Sequence, residues 1–167
     1  MDFLFEVGDK VVYPMHGAGV IKAIEEKEIL GKKQLYYIIE MPIGNMQVMV
    51  PMDKASTLGI RPTVDMSTLE NALLIFQHEE WDCSLPWSQR YRINMDKIKT
   101  GNLQEEIEVI RDLLHRNKEK VLNTSEKKLL DDARKFVISE LALVKGCTKN
   151  QATDLLDQET LKTEMMD

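Results

Sequence analysis

Apolar residues repeat along this chain with two different periods, and the change falls near residue 63. Before it, β-branched and aromatic runs alternate with turn residues, so that residues 10–13, 18–25, 34–41 and 46–50 read as strands. Pro14 and Gly17 mark the first turn, Gly31-Lys32 the second and Gly44-Asn45 the third. Glycine supplies the positive φ that such hairpin turns require. Short strands at this spacing predict a small, strongly bent sheet or barrel. So small a core is marginal alone and gains from packing against another unit.

From Asp65 onward the period is helical. Ser67-Thr68-Leu69-Glu70 fits a capping box and predicts a short helix to about Gln77. Residues 78–84, HEEWDCS, read as a loop. Ser84 and Pro86 open the next helix, and Gly101 ends it. Residues 102–117 and 125–145 repeat apolar positions at helical spacing, and Gly146 stops the second. Thr148-Lys149-Asn150-Gln151 is a second capping box and starts a last helix, whose end is expected to fray from Thr160. The second half therefore reads as a compact bundle of four or five helices.

Charge divides the chain more sharply than it describes the whole. The net charge is −6, which argues against a protein that coats nucleic acid by charge alone. Residues 63–84 hold five acids (Asp65, Glu70, Glu79, Glu80 and Asp82) and no base. Residues 85–145 then carry 13 basic against 10 acidic groups. Within that segment, LPWSQRYRINMDKIKTG sets Arg90, Arg92, Lys97 and Lys99 against the single acid Asp96 and places Trp87 at the start of a helix. Basic groups neutralise phosphates, and a flat apolar ring can stack on or wedge between bases. A second reading fits the same residues. Trp87, Tyr91, Met95 and Ile98 fall on one helical stripe, which would bury the tryptophan in a core. Pro86 favours exposure, because it sets Trp87 in the first turn, where a ring can hang past the helix end.

No catalytic or metal-binding constellation emerges. His16, His78 and His115 stand in different elements without ligand spacing. His16-Gly17-Ala18-Gly19 lacks the lysine of a phosphate loop and the full dinucleotide fingerprint, so it reads as a tight turn. Cys83 and Cys147 are isolated and imply neither a disulfide framework nor zinc. The N-terminus is neither a signal peptide nor a membrane span. A cytoplasmic protein without enzymatic activity, catalytic residues, metal or cofactor is expected.

Two patches carry a family resemblance. One is Val7-Gly8-Asp9-Lys10-Val11-Val12-Tyr13-Pro14-Met15-His16-Gly17-Ala18-Gly19-Val20-Ile21, with Gly31 and Val48-Met49-Val50-Pro51 following. The other is Trp87-Ser88-Gln89-Arg90-Tyr91-Arg92-Ile93-Asn94, followed by Lys97, Gly101, Ser125-Glu126-Lys127 and Ser139-Glu140-Leu141-Ala142. In this order they resemble the CarD/CdnL family of bacterial transcription regulators over residues 3–157. The first patch also resembles the polymerase-interacting domain of transcription-repair coupling factors, which lack the helical half.

The resemblance implies an α+β fold, a small Tudor-like β-barrel followed by a compact all-helical domain. It divides the chain into a polymerase-interacting β domain at 1–62, an acidic connector with a short helix at 63–84, a helical DNA-contacting domain at 85–160 and a frayed tail at 161–167. The β domain would dock on the RNA polymerase β subunit through an exposed sheet edge, with Lys27, Gln47 and Met49 as contacts. Trp87 would wedge into promoter DNA at the upstream edge of the bubble and stabilise the open complex. Arg90, Arg92 and Lys127 would hold phosphates without reading sequence. The protein would be a monomer, associated with the nucleoid through polymerase and with no membrane contact. Well-known members carry arginine where Lys27 and Met49 stand here, which makes the expected docking face less electrostatic and more apolar, with Met46 and Met52 as further candidates. Gln89 replaces a basic residue of some members and weakens the expected DNA grip. The rival reading is a protein-only adaptor that binds polymerase or another partner without touching DNA.

Overall fold

The computed structural model describes residues 4–42, 44–77 and 85–165. The loop expected at 78–84, with His78, Cys83 and Ser84, lies outside the described residues. The first half forms a single antiparallel sheet of β1 (Lys10–Tyr13), β2 (Gly17–Ile29), β3 (Lys32–Met41), β4 (Met46–Pro51) and β5 (Arg61–Pro62), in the order β4-β3-β2-β1-β5. Five α-helices follow among the described residues: α1 (Met66–Leu73), α2 (Trp87–Lys99), α3 (Leu103–Glu119), α4 (Thr124–Lys145) and α5 (Lys149–Met165). This is the α+β order expected from the two periods.

The sheet departs from the sequence reading in its details. The β2–β3 turn is centred on Leu30-Gly31, at φ of 54° and 77°, and not on Gly31-Lys32. Two successive positive φ values match the right-handed twist of the flanking strands, and Lys32 already pairs with Ile29. A register shift between Ile21 and Ala23 bends β2. Tyr37, Ile39 and Met41 of β3 join Ile21 and Val50 in the β core. The fifth strand, two residues pairing with Val11 and Val12, is too short to leave a period.

The helix boundaries have local causes. Asp65, not Ser67, caps α1, its carboxylate accepting from the Thr68 N–H at 2.7 Å. The Thr148 box forms as expected, with reciprocal bonds between Thr148 and Gln151 of 2.9 and 3.1 Å. Helix α5 runs past Thr160 to Met165. The short helix of the acidic segment ends at Leu73, and a 3-10 turn completes the stretch to Gln77. Leu69, Ala72 and Leu73 of the helix and Phe76 of the turn join Ile98, Ile107, Ile110, Val137 and Leu141 in the helical core.

Sheet and bundle meet along a polar seam. Arg61 of β5 forks onto Glu140 of α4 with two bonds of 2.8 and 2.7 Å, and its Nε donates to the Gly101 carbonyl at 2.9 Å. Glu140 is 1 % exposed and takes a third bond from the Val64 N–H. Ser139 accepts from the Ala18 N–H at 2.9 Å. Gly101 is required twice. Its φ is +70°, and a Cβ there would lie 2.6 Å from Pro14 Cγ.

Glu106 of α3 is buried beside this seam. Burial, reinforced by the Glu140 carboxylate and partly offset by Arg61, pushes its carboxyl up to about 8. The unfolded chain releases this proton near the ordinary value of 4.5. Folding stability therefore falls as pH rises between those values, and the contribution is flat above the upper one. Thermal melts from pH 5 to 9 should show the Glu106→Gln variant gaining on the wild type up to about pH 8 and no further. A constant difference across that range would mean that the folded protein holds Glu106 ionised.

Candidate nucleic-acid interface

Helix α2 begins at Trp87, which stands in its first turn. Pro86 has φ −56° and ψ 149°, which leaves it outside the helix as the capping residue. Trp87 is therefore the first helical residue, and it is 50 % exposed. Its ring meets Tyr91 edge-on, with centroids 6.2 Å apart. The apolar stripe does enter the core, but from its other end. Ile98 is fully buried, Met95 and Tyr91 are partly buried, and Trp87 remains at the surface.

The basic residues separate into two kinds. Arg90 turns inward, its side chain only 12 % exposed. It donates to the Leu85 carbonyl at 2.8 Å and pairs with the buried Glu126 of α4 at 3.7 Å. It thus fastens the head of α2 to the head of α4, and its guanidinium is not open to a phosphate as the resemblance implied. Arg92 lies two residues on, roughly 200° around the helix. It is exposed and makes no ion pair with a described residue. Lys127 is exposed in the first turn of α4. There Asn123 caps the helix and takes the Glu126 N–H at 2.8 Å. The Lys127 N–H bonds the Asn123 carbonyl. The Thr124 and Ser125 N–H groups are those left for an anion. Next to Lys127, the ammonium of Lys128 is raised by its bond to Asp132, with a smaller contribution from Tyr91 of α2. The Arg90–Glu126 pair thus brings the head of α2, with Trp87, to the head of α4, with Lys127 and Lys128, whereas Arg92 lies on the far side of α2 from Arg90.

The expected protein-docking residues lie on the sheet. In the β2–β3–β4 register, Lys27 pairs with Gln34, Met49 with Ile38 and Gln47 with Glu40. Tyr37, Ile39 and Val50 point into the core, so alternation turns Gln34, Ile38, Glu40 and their partners to the opposite face. Lys27, Gln47 and Met49 therefore share one face. Gln47 and Met49 stand on β4, an edge strand. Lys27 stands two strands away and four residues further along, about 13 Å at strand rise, and pairs with Glu25 at 3.1 Å. Met49 is 47 % exposed and Met46 is also exposed, whereas Met52 packs into the β core. Among the described residues, no helix is long and apolar enough to cross a membrane.

Comparison with known proteins adds to this geometry. A family model described as the CarD-like/TRCF RID domain matches residues 5–64, and one described as the CarD C-terminal domain matches residues 71–157. The chain is 57% identical to a Bacillus subtilis (strain 168) protein named "Putative transcription factor YdeB", over 89% of this chain and 97% of that one. A solution NMR structure of the 72-residue N-terminal domain of Myxococcus xanthus CarD shows 34% identity over 37% of this chain and 83% of that one, with a TM-score of 0.32.

The two kinds of basic residue separate in stability measurements. Denaturant unfolding of Arg90→Ala should show a loss of about 3 kcal/mol, because it leaves Glu126 buried without its cation. Arg92→Ala should stay within about 0.5 kcal/mol. Trp87→Ala should lose less than about 1.5 kcal/mol, the range of an exposed edge-to-face contact. A loss of about 3–5 kcal/mol would make Trp87 a core residue after all.

Proposed function

The chain belongs to the CarD family of transcription factors, and on that premise we propose that it docks on RNA polymerase through its sheet and stabilises the melted promoter with Trp87. The observation that carries this reading is the half-exposed Trp87 at the first position of α2, on a helix head that the Arg90–Glu126 pair joins to the head of α4, where Lys127 and Lys128 are exposed. A ring free on one side can insert at the junction between duplex and melted strands and hinder re-annealing. Stacking on a base is worth about 1–3 kcal/mol. The surrounding lysines and Arg92 hold backbone phosphates, which positions the protein without reading sequence. Affinity for DNA alone is weak and salt-sensitive in this reading. Tethering through the sheet raises the local concentration of the helical face over the DNA. An acidic protein can thus act on DNA without coating it.

The docking half of the reading rests on the domain matched at residues 5–64 and on the free edge of β4. An extended segment of the β subunit would add as a further strand, with Met49, Gln47 and the more distant Lys27 contributing side-chain contacts. The division into a polymerase-binding unit at 1–62 and a DNA-contacting unit at 85–160 follows from this, as does action at the nucleoid in the cytoplasm. The inward turn of Arg90 favours a second reading. It removes one cation from the DNA face, and a protein-only adaptor needs none. Under the adaptor reading, Arg92→Glu with Lys127→Glu leaves DNA crosslinking in the promoter complex unchanged.

The deciding measurement is the lifetime of promoter open complexes formed by the cognate polymerase. Wild-type protein should prolong it, and Trp87→Ala should shorten the gain by about tenfold while binding to the β subunit is unchanged. Met49→Asp should instead weaken β-subunit binding about tenfold, because it desolvates a charge against an apolar contact. If polymerase binding persists and neither protein alters the lifetime, the adaptor reading replaces the wedge.

A further inference from the structure

Helices α2 and α3 enclose a cleft of about 520 Å³ that the wedge reading does not use. Its floor holds Asn94, which is 6 % exposed and whose amide makes no hydrogen bond to a described residue. The amide atoms are not sealed from solvent, so they open to the cleft, where a ligand can bond them. Beside it Arg111, its side chain 8 % exposed, uses only Nε, on Asp112 at 3.0 Å. Its two terminal nitrogens make no hydrogen bond to a described residue. Arg116 lines the same cleft and has no ion pair with a described residue.

The charges leave an excess of cations. Lys97 is paired with Glu108 at 3.2 Å, Arg111 is shared with Asp112, and Arg90 is balanced from behind by Glu126. Arg116 remains, together with the unused fork of Arg111. A planar fork matches a phosphate through two parallel bonds. The remaining wall is apolar, formed by Leu85, Ile93 and Leu113. A flat base can lie against it, with the donor and acceptor of the Asn94 amide within reach of the base edge or sugar. The volume lies within the range of small-molecule sites.

We propose that the α2–α3 cleft binds a nucleotide, with Arg111 and Arg116 on its phosphate and Asn94 on its base or sugar. The nucleotide is either free or part of a single DNA strand. This site does not depend on the wedge, because binding is expected of the protein alone.

The test is calorimetric titration of the full chain with guanosine diphosphate, guanosine, inorganic phosphate and a short oligothymidylate. Guanosine diphosphate should bind at least about tenfold more tightly than guanosine. Arg111→Gln should weaken it about tenfold, and so should Arg116→Ala, a partly exposed residue whose loss spares the fold. Lys145→Ala, remote on α4, should not. Binding of the oligonucleotide alone, with the same dependence on Arg111 and Arg116, identifies the ligand as a nucleotide within a strand and supports the site. If nothing binds, or if binding survives both arginine substitutions in folded protein, the proposal is overturned.

Discussion

The Arg61–Glu140 pair is the constraint on which the rest of the molecule depends. It joins a two-residue strand at the end of the sheet to the middle of α4, and so ties two cores that share no apolar cluster. A buried carboxylate is costly unless every lone pair is met. Here the Arg61 fork and the Val64 N–H meet it. Such a pair adds little net stability against an apolar alternative. Its value is geometric, because a bidentate fork has one good orientation. The Arg61 Nε on the Gly101 carbonyl extends the lock to the end of α2. Through that chain of bonds, the helix bearing Trp87 has a set position relative to the sheet.

The neighbourhood of the lock explains why α3 carries an acid in its core. Burial favours the protonated form of Glu106, and the Glu140 carboxylate adds to this because Arg61 only partly offsets a second negative charge. At the other end of the bundle the logic is repeated with Arg90 and Glu126. The Nη2 of Arg90 and the Oε2 of Glu126 are both buried and lack a hydrogen-bond partner among the described residues, so that pair is the looser of the two joints. One ionic joint therefore fixes the halves, and a softer one fixes the heads of α2 and α4.

Local chemistry made much of this legible in advance. Two periods predict sheet then bundle, and Thr148 with Gln151 forms the box its spacing implies. What the sequence withheld is long-range. Arg61 and Glu140 are 79 residues apart, and nothing in either neighbourhood names the other. A strand of two residues leaves no alternation to detect. The inward turn of Arg90 has a local signal. With Asn94 it occupies the same stripe as Trp87, Tyr91, Met95 and Ile98, at spacings of three and four, and a polar residue on an apolar stripe is buried with it. Trp87 needed one backbone angle, the ψ of Pro86, to decide between two readings that spacing left open.

The two sides of the sheet are unequal. β5 is two residues long, ends in proline and lies against α4, whereas β4 is a six-residue edge strand with no further strand beside it among the described residues. In the language of polymer growth, the sheet is a monofunctional unit. It can accept one additional strand and then has nothing left to offer. Pairing of two copies through β4 would end at a dimer and could not propagate into a fibre. A partner strand seated there would exclude even that, so occupancy of the edge is limited to one guest per chain.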